Sequence, residues 1–239
     1  MNTLREKTVV ITGGCGQVGW AISNRLAGMG ATVVALVRRD LEEYNARMRL
    51  LSPKCCAVLA DVTDSASLVS AAQKIGRCDI LINTAGYTRS IQPIKLQELT
   101  DDIFDEIINT NLRGTFSTIR AFHPFMSDGV IINISSTAGL RASTSNLAYG
   151  AAKAGIDLMT KTLAKSLAPK IRVIGIAPGY LEKATSGAVK PPGANEQIAN
   201  MTPLKRVGEA EDIAQMVESV IFNKHLTGQT IVVDGGISL

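Results

Sequence analysis

Apolar runs of strand length recur along the chain at residues 8–12, 32–37, 57–60, 79–83, 130–134, 172–177 and 230–233. Between most of them lie longer stretches in which apolar residues return every three or four positions, at 18–29, 65–75, 102–125, 149–167 and 209–222. Short continuous apolar runs suit strands buried on both faces, and the longer period suits helices with one apolar stripe. Their alternation predicts an α/β fold: a doubly wound, seven-stranded parallel sheet (a Rossmann fold) with helices on both faces, in a single domain. Right-handed crossovers leave that order of elements little topological freedom. The segment 179–203, with Gly187, Pro191, Pro192 and Gly193, fits neither pattern and is expected to form a substrate loop.

Composition narrows this picture. Hydrophobic residues are 46% of the 239 and charged residues 19%, enough for a large core, while aromatics are only 4%. A core of Ala, Val, Ile and Leu favours a parallel sheet under helices over an antiparallel sandwich. The net charge of +4 is small and dispersed, so no nucleic-acid partner is expected. No apolar run reaches the roughly 18 residues of a membrane span, and the opening MNTLREKTVVITGG lacks a signal-peptide plan. Cys15, Cys55, Cys56 and Cys78 form no CxxC pair, and His123 and His225 are the only histidines, so no metal site is expected. Free thiols in a reducing cytoplasm are the expectation.

Candidate chemistry begins after the first run. Gly13, Gly16 and Gly19 stand three apart, with Gln17 and Val18 opening the next helix. A strand, a glycine turn and a helix N-terminus together offer free backbone N–H groups and a positive dipole end to a pyrophosphate. The second strand ends in Val37, Arg38 and Arg39, where an NAD-selective site would carry an acid for the ribose 2′-hydroxyl. Two guanidinium groups suit a 2′-phosphate, so NADP(H) is the expected cofactor; Asp40 is close enough to take a hydroxyl, which keeps NAD(H) open. Asp61 and Val62 follow the third strand and Asn83, Ala85 and Gly86 the fourth, where ligand crevices open in such sheets. Ser135 and Ser136 end the fifth, and Tyr149 and Lys153 share one helical face four residues apart. An ammonium beside a phenol favours the phenolate and brings the tyrosine toward acid–base work near neutral pH.

These pieces in register resemble the short-chain dehydrogenase/reductase family, in its short single-domain branch and with a 3-oxoacyl-reductase-like look, over nearly the whole chain. The matching residues are Thr12-Gly13 with Gly19, Asp61-Val62, Asn83 to Gly86, Asn111, Ser136, Tyr149, Lys153, Pro178-Gly179, and the tail from Thr227 to Gly236. The resemblance implies that Tyr149 exchanges the proton, Lys153 holds the ribose and tunes Tyr149, Ser136 orients the carbonyl, and Asn111 anchors a relay water through a distorted helix turn. It adds Pro178, Gly179 and Leu181 to the cofactor contacts. It also implies a homo-oligomer, a tetramer, paired through residues 102–125 and 149–167, the latter carrying the stripe Ile156, Met159, Leu163 and Leu167. The sequence departs from the family pattern in three places. Gln17 stands where the middle glycine is usual, with Gly16 one place early; Lys183 replaces a carboxamide-binding threonine, with Thr185 two residues later; and Met126-Ser127-Asp128 lacks the basic residues of carrier-docking members.

The implied function is an NADP(H)-dependent interconversion of a ketone and a secondary alcohol, with a small-molecule carbonyl or alcohol as partner. Two other readings stay open: a sugar-nucleotide-modifying enzyme, from the glycine spacing, and a non-catalytic dinucleotide-binding regulator. Tyr87, Thr88, Arg89, Arg141 and Tyr180 are candidates to line the substrate pocket. No Gly-x-Ser-x-Gly or Gly-Lys-Ser/Thr motif supports a serine hydrolase or a nucleoside triphosphatase.

Overall fold

The computed structural model describes residues 3–142, 146–183 and 187–239. Seven parallel strands form one sheet: β1 (Thr8–Thr12), β2 (Thr32–Val37), β3 (Cys56–Leu59), β4 (Ile80–Asn83), β5 (Gly129–Ile134), β6 (Ile171–Pro178) and β7 (Thr230–Val233), in the order β3-β2-β1-β4-β5-β6-β7. The helices are α1 (Gln17–Gly28), α2 (Leu41–Arg49), α3 (Ser65–Ile75), α4 (Asp101–Ile108), α5 (Gly114–Phe122), α6 (Leu147–Leu167), α7 (Ala194–Met201) and α8 (Ala210–Phe222). The doubly wound seven-stranded sheet read from the sequence is the one observed.

Alternation along each strand divides the core into two layers. Val9, Ile11, Val33, Ile82, Ile132 and Ile176 pack with Ile22 and Leu26 of α1 and Ile213 and Val217 of α8. Val10, Val34, Leu81, Ile131 and Val173 face the opposite way, onto Leu68 of α3, Phe122 of α5 and Ala164 of α6. Polar side chains start several helices: Asp64 accepts from Ala66 N at 2.9 Å, Thr100 from Ile103 N at 3.4 Å, and Asn146 from Ala148 N at 2.9 Å.

Several expectations need correcting. The stretch 102–125 is not one regular helix: a π-turn at Asn109–Arg113 separates α4 from α5, and a 3-10 turn at His123–Phe125 follows. The segment 179–203 is not wholly irregular, since it contains α7, which the neighbouring prolines and glycines masked. α2 was not anticipated; it buries only Met48 and so carries almost no apolar period. Of the stripe Ile156, Met159, Leu163 and Leu167, Ile156 is buried and the other three are half-buried, packed against the layer that holds Ile131 and Val173. The outer surface of α4, α5 and α6 exposes Phe104, Phe116, Leu147 and Leu158.

The four cysteines are unpaired, and burial pushes Cys15 up to about 11 and Cys78 to about 12, so both are thiols at neutral pH. Among the described residues no helix is long and apolar enough to cross a membrane, and no cluster of metal-ligating side chains occurs.

Candidate active site

β1 and β4 are neighbours at the point where the strand order turns back, and the crevice past their carboxyl ends is where ligands enter such sheets. A cleft of about 1120 Å³ opens there. Its floor is the glycine turn. Gly13 has φ +64°, and Gly16 N donates to Gly13 O at 2.8 Å. A Cβ on Gly19 would lie 2.2 Å from Gly13 O, so α1 can press on the loop only if that residue is glycine. Gly16 is the N-cap of α1 and Gln17 its first residue, with no side chain satisfying the first-turn amides. That N-terminus, set beside bare backbone in a cleft, fits a dinucleotide pyrophosphate. The displaced glycine thus leaves the cradle in place. Arg47 braces it from α2, donating to Cys15 O at 3.1 Å with its guanidinium 4.0 Å from the centre of the Trp20 ring.

Past the carboxyl ends of β2 and β3, Val37, Arg38, Arg39, Asp61 and Val62 all line the cleft. Arg39 is drawn into an ion pair with Asp40 at 3.3 Å, on the exposed start of α2. Asp40 is not among the lining residues, which leaves Arg38 as the cationic neighbour not paired to it. Asp61 Oδ1 accepts from Thr63 N at 2.8 Å and from Thr63 Oγ1 at 2.7 Å, which holds that carboxylate at the cleft edge.

At the other end Ser136, Tyr149 and Lys153 come together, with Ala85, Gly86, Pro178, Gly179 and Leu181 around them. Ser136 caps the 3-10 turn Thr137–Gly139 by accepting from Ala138 N at 3.2 Å, and a hydroxyl that accepts in this way keeps its proton to donate. Asn146 accepts from Ala148 N and Tyr149 N, which sets the first turn of α6 and with it the tyrosine. Lys153 Nζ is buried, donates to Ile134 O at 2.8 Å and lies 5.4 Å from the centre of the Tyr149 ring. Burial pulls the Lys153 ammonium down to about 8, with Asp157 acting in the opposite direction.

Two anticipated residues stand behind the cleft wall. Asn83 is buried and donates to Asn133 Oδ1 at 2.9 Å, so its amide braces β4 against β5. Asn111 sits in the π-turn; its Nδ2 donates to Tyr87 O at 2.7 Å and Ile107 O at 2.8 Å, and its Oδ1 accepts from Tyr87 N at 3.3 Å. The side chain is therefore spent on the Gly86–Tyr87 wall, and a relay water would have to be held by backbone rather than by the amide.

On the substrate side, Tyr87, Thr88, Arg89, Tyr180 and Lys183 line the cleft and Arg141 does not; Thr185 lies outside the described residues. Arg89 is held by Tyr87 Oη at 2.8 Å and Glu106 at 3.2 Å. Lys190 ties the loop to itself through Glu182 O at 2.6 Å and Asn195 Oδ1 at 3.0 Å. Val189 N donates to Ser90 Oγ at 2.8 Å, joining the two rims. Asn146 and Arg47 were not singled out in the sequence. An asparagine at the head of an apolar helix is a capping signal that could have found the first.

The geometry agrees with the comparisons to known proteins. A family model described as enoyl-(acyl carrier protein) reductase matches residues 16–238. The 3-oxoacyl-(acyl-carrier-protein) reductase of Thermotoga maritima is 33% identical over 246 residues, covering 98% of each chain. The chain belongs to the short-chain dehydrogenase/reductase family. A 3-oxoacyl-(acyl-carrier-protein) reductase from Brucella melitensis, solved with bound NAD, superposes with a TM-score of 0.89 at 31% identity, covering 98% of this chain and 92% of that one. A gluconate 5-dehydrogenase from Burkholderia cenocepacia, solved with NADP and tartrate, gives 0.91 at 26% identity, covering 99% and 96%. As a short-chain dehydrogenase/reductase, the protein is an oxidoreductase of a family that binds nicotinamide dinucleotides.

Gly19→Ala should leave the protein folded but weaken dinucleotide binding at least tenfold, because α1 must back away from the turn. Circular dichroism and NADPH fluorescence titration check the two halves of that expectation, and unchanged affinity would show that the glycine contact does not shape the cradle.

Proposed function

We propose that the protein is an NADP(H)-dependent reductase of ketones, reversible as a secondary-alcohol dehydrogenase, with 3-oxoacyl thioesters as the first class to try. One observation carries this reading: Ser136, Tyr149 and Lys153 meet in one cleft with the glycine cradle at its far end. The bound nicotinamide would supply or accept the hydride. Ser136 and Tyr149 hydroxyls orient the substrate oxygen, and Tyr149 gives or takes its proton. Lys153 brings a positive charge to the tyrosine ring and a donor for the ribose. Asn111 holds the wall beside them. A pure regulator would have no use for the proton-donating half of this set. The substrate class rests on the names of relatives, several of which are ketoacyl reductases.

Preference for NADP(H) rests on Val37 in place of an acid, Arg38 in the cleft wall, and Asp40 held away by Arg39. Self-association rests on the exposed Phe104, Phe116, Leu147 and Leu158, an apolar surface running over α4, α5 and α6.

Tyr149→Phe should cut turnover of a 3-oxoacyl thioester such as acetoacetyl-CoA by about 10²–10⁴-fold while NADPH binding stays near wild type. A variant keeping more than about half the rate in single-turnover assays would remove Tyr149 from the proton transfer. Arg38→Ala should lower NADPH affinity by about tenfold or more with little effect on NADH, since charge-assisted hydrogen bonds are worth roughly 1.5–3 kcal/mol. Equal wild-type affinities for the two dinucleotides would place the 2′-phosphate contact elsewhere. Light scattering at micromolar concentration should give a mass near four chains, and a single-chain mass would end the tetramer reading.

A further inference from the structure

The substrate side of the cleft is a ring, closed by contacts between the segment after β4 and the segment after β6. Gly187 has φ +82°, and a Cβ on it would lie 2.1 Å from Thr88 O, so the second rim rests on the first. Val189 N donates to Ser90 Oγ at 2.8 Å, and Ser90 Oγ donates to Val189 O at 3.2 Å. Lys190, next to Val189, ties its ammonium to Leu181 O, to Glu182 O at 2.6 Å and to Asn195 Oδ1 at 3.0 Å. These contacts bring together the residues beside them in the chain: Arg89, next to Ser90, and Lys183, next to Glu182. Arg89, Lys183 and Lys190 all line the cleft here, and Glu106 is the one acid on this side among the described lining residues.

The three cations differ in what they have left to offer. Lys190 is spent, since three acceptors meet its three N–H groups, and it contributes charge alone. Arg89 Nε donates to Tyr87 Oη at 2.8 Å and Nη2 to Glu106 at 3.2 Å, which leaves Nη1 unengaged among the described residues. Its arm is fixed from behind, because Asn111 holds both backbone groups of Tyr87. Lys183 has neither a hydrogen bond nor an ion pair among the described residues. A braced guanidinium with a free edge and an unpaired ammonium in the same wall suit an anion. A plain hydrocarbon chain would strip water from these charges without pairing them. The reacting group is close by. A Cβ on Gly86 would lie 3.8 Å from Lys153 Nζ, and Arg89 is three residues further on, at most about 11 Å along the backbone.

We propose that this side of the cleft selects an anionic ketone, one that carries a carboxylate or phosphate a few bonds from its carbonyl, with Arg89 and Lys183 taking the charge. This rests on the reading of Ser136, Tyr149 and Lys153 as the ketone-reducing group and narrows the substrate of that site. Ser90 and Lys190 serve the selection indirectly, by holding the rim that bears Lys183 against the rim that bears Arg89.

The test compares kcat/KM within pairs of ketones that differ in charge: acetoacetate and levulinate against their methyl esters, and dihydroxyacetone phosphate against dihydroxyacetone, all with saturating NADPH. The wild type should favour at least one anion over its neutral partner about tenfold or more, and the pair that shows it separates carboxylate from phosphate. In Lys183→Met and in Arg89→Gln that ratio should fall about threefold or more. A ratio taken between two ketones on one variant cancels any loss of fold or of cofactor grip, so a merely structural role would leave it unmoved. Neutral partners reduced as well as the anions overturn the proposal, as does a ratio unchanged in either variant. Should no ketone be reduced, ligand-observed NMR of the NADPH-loaded protein decides. An anion bound more tightly than its neutral partner, with that difference reduced in Lys183→Met, keeps the anion site while the ketone reading fails; equal binding of the two overturns the proposal.

Discussion

A sheet whose strands all run one way must end every strand on the same edge and must bury both faces under the crossover helices. Everything that matters in this molecule follows from that edge. Thr12, Val37, Asn83 and Ile134 end neighbouring strands, and the residues just past them form the floor and walls of one cleft. The register pairs Thr12 with Asn83 and Asn83 with Asn133, so the crevice opens at one depth across β1, β4 and β5. Were β4 not beside β1, the glycine turn and the Ser136–Tyr149–Lys153 group would belong to separate surfaces.

The apolar layers are interrupted on the α6 side by a line of polar groups. Asn83 donates to Asn133, and Asn133 donates to Thr160 of α6 at 2.9 Å. Lys153 donates to Ile134 O, and Thr230 reaches Asp157. Each contact fixes where α6 sits along the sheet, and a slip of one residue would strand several buried polar groups at once. A dry interior makes such bonds costly to break, which is how a helix held mainly by apolar packing can carry a tyrosine at one defined place. Asp79 does similar work at the opposite edge, where it accepts from Thr8 N and pairs with Lys7 and Arg77. Those donors hold its carboxyl below the usual range against the opposing pull of burial.

The cleft has two electrostatic characters. The end at the glycine turn offers backbone amides and a helix dipole, a cradle that needs no side chain and stands with Gln17 in place of glycine. The end where Ser136 and Tyr149 stand holds a buried cation, Lys153, whose charge is opposed by the dryness around it. The first is robust because it is made of backbone geometry. The second is conditional, because it depends on proton occupancy.

The seven apolar runs and the glycine turn made the fold and the nucleotide end legible, since β-period and φ > 0 requirements are local properties of residues such as Val9–Ile11 and Gly13. Ser136, Tyr149 and Lys153 were legible as a set because their spacing matches a family pattern. Less was legible where one residue's meaning depends on a distant partner. The stripe from Ile156 to Leu167 has the same period whatever it meets, and only packing shows Ile156 buried while Met159, Leu163 and Leu167 lie half-buried against the core. Asn111 reads as a site residue, yet its amide is taken by Tyr87, 24 residues away. α2 has one buried residue and no period to see, although Arg47 on it braces the glycine turn. Asp157 looks in the sequence like an ordinary surface acid; Thr230, 73 residues on, meets it in the interior, in the gap left by Gly175. Local patterning determined which elements form and where the glycine turn lies, whereas the order of strands and the burial of single side chains, which are contacts across the chain, decided which groups meet in one cleft.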